Sequence, residues 1–181
     1  MRGAPVLLVL LLAPAGHASI GPISLEDLIR GSDLIVIATV TSVDLDARPT
    51  IATADVREVV SGASGSIVRF IAEPQMRCSV ATAMPGERVL LFLSKSPASE
   101  LATIAAHGHG RLPLQTIDDV EFAAWPQKVW IWPLHAWAAP APSEDTVVVL
   151  AELLAEVRRV RSVQAREKEA SSLRAFQHRP D

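Results

Sequence analysis

One cysteine, Cys78, stands in a chain of 181 residues, so no intrachain disulfide is possible. Stability must come from buried apolar surface, and the disulfide-stapled scaffolds common among small secreted domains are excluded. The lone thiol is expected to be buried as a small apolar group, the alternative being a free thiol that could pair with another molecule; Arg77 beside it is a small warrant for a reactive thiolate. Tyrosine is absent, and the chain has four phenylalanines and four tryptophans. No long apolar run is present. The longest, Ala4 to Ala13, is too short to cross a bilayer, which takes about 20 residues, and nothing comparable lies near the C-terminus. There is no G-x-S-x-G elbow and no Cys–His signature of a nucleophilic enzyme. "SGASGS" lacks the Lys-Ser/Thr ending of a phosphate loop and reads as a turn. Paired acids such as Asp44 and Asp46, or Asp118 and Asp119, fall where turns use aspartate for local hydrogen bonds.

What is present begins with an address. "MRGAPVLLVLLLAPAGHAS" has Arg2 ahead of a short apolar core, and Gly16 and Ala18 stand at the −3 and −1 positions of a cleavage site. Residues 1–18 are therefore expected to be a signal peptide, and the protein exported to the periplasm or the medium. No cysteine follows to take a lipid anchor, and no transmembrane segment is expected in the mature chain. Charge is uneven: residues 19–157 carry 9 Lys and Arg against 17 Asp and Glu, and from Arg158 the counts are 7 against 3. An acidic, exported body argues against nucleic acid as a partner. The basic tail is expected to be a solvated helical face, suited at most to weak contact with anionic surfaces.

Periodicity points to a β-rich chain. "SLEDLIRG" reads as a short helix with Ser24 as its N-cap, acids in the first turn and Gly31 as its stop. "DLIVIATVTSVD" is a strand buried on both faces at one end and wet at the other. "TIATADVREVV" alternates, with Ala52, Ala54 and Val56 inward, and breaks at Val59-Val60, where a bulge or the strand's end is expected. "SIVRFIA" returns as a third strand. After the Pro85-Gly86 turn, "RVLLFLS" is the strongest strand in the chain. "LATIAA" and "RLPLQTI" suggest a hairpin around residues 107–110. An acidic loop then precedes a short strand, "KVWIW". Val147, Leu150, Leu154 and Val157 recur at helical spacing, predicting a helix capped by Ser143. Beyond Val163 the pattern decays, and 165–181 is expected to be a charged, disordered tail.

The succession of Asp33, "LIVIATV", "ADVREVVSG", Cys78 and "PGERVLLFL" resembles the netrin-module, or TIMP-like, domains of exported bacterial proteins. Asp33, Gly62, Cys78, Gly86, Glu87 and the 91–93 segment stand where that pattern places them, over about Asp33 to Leu114. The resemblance implies an OB-type β-barrel. The expected architecture is thus mainly β: a small five- to six-stranded OB-like barrel over 19–138, a short N-terminal helix, and a C-terminal helix over 139–164 packed on the barrel. Family analogy also raises inhibition of an exported peptidase. The tissue inhibitors insert an N-terminal cysteine into the protease zinc site. The mature N-terminus expected here is Ser19, and a single cysteine cannot form that family's disulfides.

Three candidate sites remain. In "HGHG", His107 and His109 would face one side of an extended segment and could share a metal ion, with His135, Asp118, Asp119 or Glu121 as further ligands. The alternative is a polar loop whose glycines permit positive φ. The four tryptophans all fall in "WPQKVWIWPLHAW", residues 125–137. Trp130 and Trp132 share one strand face and suit packing against the C-terminal helix. Trp125, Trp137 and His135 sit in loops and could form a binding surface. No set of residues converges on catalysis, and no cofactor beyond a metal ion is indicated. The reading is a non-catalytic exported binding module for an envelope or extracellular partner, with metal binding through His107 and His109 as the alternative.

Overall fold

The computed structural model describes residues 23–72, 83–95, 97, 99–125, 138–140 and 146–177. The first element is α1 (Leu25–Arg30). The Ser24 hydroxyl accepts from the Asp27 N–H at 3.0 Å, and Leu25, Leu28 and Ile29 form its buried face. Gly31 ends it, its N–H donating to Asp27 O at 2.8 Å.

Five strands follow: β1 (Leu34–Asp44), β2 (Ile51–Ser61), β3 (Ile67–Ile71), β4 (Arg88–Lys95) and β5 (Ala102–Ile104). They pair in the order β1-β2-β3-β5-β4, and β4 pairs back onto β1, which closes an OB-type barrel. All contacts around it are antiparallel except β3 with β5, which is parallel. β2 coils to close the ring. Its pairing with β1 slips at three places, one of which leaves Val60 extra between Val59 and Ser61. The bulge expected at Val59-Val60 is there, and such bulges bend and twist a strand.

The fold has two cores, and β1 and β4 separate them. Leu34, Val36, Ala38 and Val40 of β1 and Val89, Leu91 and Leu93 of β4 fill the barrel. Their alternate neighbours Ile35, Ile37, Leu90 and Phe92 face outward, into a second core beneath the helices. Both strands are therefore buried on both faces, which is why they read as unbroken apolar runs. Inside the barrel, Ala52 and Ala54 of β2 lie opposite Phe70 and Val68 of β3. Small side chains there leave room for large ones, as a narrow barrel requires.

Four more strands extend the sheet: β6 (Arg111–Ile117), β7 (Val120–Trp125), β8 (Ala138–Pro140) and β9 (Thr146–Val149). The hairpin expected between "LATIAA" and "RLPLQTI" does not form. β5 and β6 lie end to end along one edge of β4 and run in the same direction. Between them, residues 106–109 leave the edge and return. Phe92 pinches the excursion, its N–H donating to Gly110 O at 2.7 Å and its C=O accepting from Ala105 N at 2.8 Å. Only a glycine fits at 110, because a Cβ there would lie 2.9 Å from the Phe92 Cβ. The "acidic loop" is likewise a tight hairpin. Asp118 and Asp119 have φ of 47° and 63°, as a type I′ turn requires, and β7 starts directly after them.

The C-terminal helix α2 (Leu150–Gln177) begins later and ends later than its sequence pattern suggested. Thr146–Val149 is a β-branched run that pairs with β7 and β8 instead of opening the helix. Leu150, Leu153, Leu154, Val157 and Val160 then dock α2 on the second core. Residues 165–174 are exposed all round yet helical. The loss of an apolar stripe ended the packing but not the helix, since Ala, Arg, Glu, Lys and Leu are good helix formers. No helix among the described residues is long and apolar enough to cross a membrane.

Candidate functional site

β3 and β5 touch only where Phe70 lies opposite Ala102 and Ile71 opposite Thr103. Before that point they diverge, because β3 enters from the β2–β3 turn and β5 from the segment after β4. A cleft of about 580 Å³ opens in the gap. That volume lies within the range of small-ligand sites. Its floor is apolar and belongs to the barrel core: Leu34, Val68 and Ala102 are all buried.

The rim is polar, and the backbone positions it. Asp33 Oδ2 accepts from the Lys95 N–H at 2.8 Å, and Asp33 N donates to Leu93 O at 2.8 Å. These bonds hold the end of β4 against the start of β1. Lys95 Nζ then reaches across to donate to Ala63 O at 2.7 Å, tying β4 to the β2–β3 turn. An ammonium has three N–H donors, so others remain for a ligand. Arg69 stands exposed on the outward side of β3 and makes no ion pair among the described residues. Glu100 is the one carboxylate among the described residues that line the cleft. Among the described residues the rim thus has two cations against one anion, a local reversal of sign on a body with 9 Lys and Arg against 17 Asp and Glu over residues 19–157. Ile67, 57 % exposed, adds an apolar edge beside Arg69. Among the described residues neither histidine nor cysteine lines the cleft.

Those residues singled out by sequence that the structure describes lie elsewhere. His107 has φ 55° and is exposed, and His109 is 3 % exposed in the core. Shared ligation assumed an extended backbone, in which residues i and i+2 face one side. The left-handed turn at Ala106, His107 and Gly108 parts them instead. Among the described residues no three His, Cys, Asp or Glu side chains gather as a metal ion would require. Trp125 closes β7, its backbone opposite Thr146. Cys78, Trp130, Trp132, His135, Trp137 and the leader lie outside the described residues.

Compared with known protein families and with curated proteins, the chain matches none. The site has to be read from its own chemistry. Arg69 and Lys95 escaped the sequence reading because Arg69 stands at an outward strand position and Lys95 at the end of a strand, and a cation at either place ordinarily means solvent. The offset parallel pairing of β3 and β5 brings them to one cleft, and spacing along the chain carries no sign of that offset. The Gly- and Ser-rich turn at 62–66 was the one visible signal, and it pointed to a turn, not a rim.

Proposed function

We propose that this protein is a non-catalytic, exported binding module and that the cleft between β3 and β5 is its ligand site. The observation that carries the proposal is the cleft's make-up: a buried apolar floor below a rim that, among the described residues, has Lys95, Arg69 and a single carboxylate. Lys95 is held by its bond to Ala63 O and Arg69 is exposed on the same rim, an arrangement that suits recognition of an anion. Export is supported by the leader pattern of residues 1–18, and the partner would then be an envelope or extracellular molecule. The OB-type barrel is compatible with the netrin-module resemblance, which rests on strand and turn pattern.

The test is a ligand panel of organic anions, oligosaccharides and peptides, read by thermal shift on the mature protein and on Gly65→Trp. An ideal Cβ at residue 65 meets nothing within 4 Å, so the indole can occupy the cleft wall without disturbing the barrel. Ligands that stabilise the wild type and not the variant support the proposal. Stabilisation that survives in Gly65→Trp places the site elsewhere.

A further inference from the structure

The hydrogen bonds at the two ends of β3 show how its backbone is oriented. Ser66 O accepts from Val56 N at 2.8 Å, and Ala72 N donates to Thr50 O at 2.9 Å. Backbone groups alternate along a strand, so the even residues from 66 to 72 turn their N–H and C=O toward β2. Ile67, Arg69 and Ile71 turn theirs the other way, toward β5. β2 pairs with Ile67 on one side, but the ladder to β5 starts only at Phe70 and Ala102, so among the described residues no strand meets Ile67 on the other side. Its N–H and C=O face the cleft. This is a short sheet edge, about 7 Å from Ile67 to Arg69 at the usual strand rise, set inside a closed barrel that otherwise hides its edges.

Side chains follow the same alternation. Val68 and Phe70 point into the barrel, and Ile67 and Arg69 point outward on one face. A strand laid against this edge would place a side chain beside Ile67 and another, two residues away, beside Arg69.

We infer that the cleft receives an extended peptide, which pairs with the free edge of β3 and carries an acidic residue two positions from an apolar one. The inference rests on the reading of the cleft as the ligand site. The backbone edge supplies the affinity common to strand addition. Ile67 accepts the apolar side chain. Arg69, with Lys95 across the cleft, accepts the carboxylate, in keeping with the positive rim on an acidic body. Glu100 on the same rim disfavours a second acid placed beyond the first.

The probe is a capped pentapeptide, acetyl-Thr-Val-Thr-Glu-Thr-amide, titrated into the mature protein and followed through the backbone amide signals of Ile67 and Arg69. Three relatives accompany it: one N-methylated at the valine, one with Gln in place of Glu, and one with Lys in place of Glu. Acetate alone is the last arm. Binding should move and protect the Ile67 amide. N-methylation should weaken it roughly tenfold, equivalent to about 1.4 kcal/mol for lost backbone pairing. Arg69→Glu, at an exposed position, should reverse the preference from the Glu peptide to the Lys peptide. Equal binding of the N-methylated peptide would overturn strand pairing and leave the cleft as a ligand site. An equal response to acetate would overturn the peptide and leave a simple anion site. No change at any cleft residue with millimolar peptide, together with an empty thermal-shift panel, would remove both readings.

Discussion

Substitution of four glycines by alanine separates two costs that usually arrive together, the backbone cost of a left-handed conformation and the steric cost of a close approach. Gly62, at the end of β2, carries both: its φ is +88°, and an added Cβ would lie 2.4 Å from Asp33 O and 3.2 Å from the Leu34 Cα. Gly86 has φ +85° and open space around it. Gly110 has the contact alone, with Phe92 O at 2.8 Å and Ala105 O at 3.1 Å from the added carbon. Gly65 has neither. Alanine in the left-handed region costs about 1–2 kcal/mol, and overpacking a tight site costs about 1–3 kcal/mol. Gly86→Ala should therefore lose about 1–2 kcal/mol, Gly110→Ala about 1–3 kcal/mol, and Gly62→Ala their sum, about 2–5 kcal/mol. Gly65→Ala should be neutral or gain about 0.4–1 kcal/mol through the unfolded chain. A domain of this kind is stable by about 5–15 kcal/mol, so Gly62→Ala comes nearest to unfolding. Urea titrations at constant slope, read by far-UV circular dichroism and tryptophan fluorescence, give the order. The atom approached at Gly62 is backbone and cannot swing aside, so relief would require the start of β1 to move, and with it Leu34 in the barrel core. If Gly62→Ala were no worse than Gly86→Ala, the close approach of β2 to Asp33 would be wrong, and with it the closure of the barrel at that corner.

Three further outcomes follow from the packing and the charges. Leu153→Ala, at a fully buried position of α2, should lower the urea-derived stability by about 2–5 kcal/mol, whereas a free-standing helix would lose almost nothing. Arg111 and Glu87 form an ion pair with side chains only 11 % and 12 % exposed, joining β6 to the turn before β4. Removing either partner alone should cost about 3–5 kcal/mol, and removing both should cost less than the sum in a double-mutant cycle. The hydrogen bond from Arg159 holds the Glu156 carboxyl below its usual range. A carboxylate depressed on folding contributes stability above its unfolded pKa and loses it as pH falls through the folded one. Glu156→Gln should therefore flatten the acid side of the stability–pH curve and leave the alkaline side unchanged, as followed by urea midpoints across pH.

How much of this was legible depended on whether the information was local. The barrel could be foreseen because β1 and β4 must satisfy two cores at once, and only a continuous apolar run does that. Ala52 and Ala54 announced a narrow interior by being small. The errors came where two local readings were both sound. Val147 fits the helical stripe of α2 and also belongs to a β-branched run, and the open edge of β7 decided for strand. "HGHG" fits a hairpin tip, but the edge of β4 was long enough to hold β5 and β6 in tandem, so the loop became a pinched excursion with one histidine in solvent and one in the core. The cleft is the extreme case. Ile67 is an ordinary outward strand residue until β5 joins β3 three residues late, and that lateness leaves its cleft-facing backbone groups without a strand partner among the described residues. A site made by the register of two strands has no motif, because no residue in it is unusual for its own position. Chemistry built from side chains leaves a mark on composition and spacing, and recognition built from an unpaired edge leaves its mark only on the pairing.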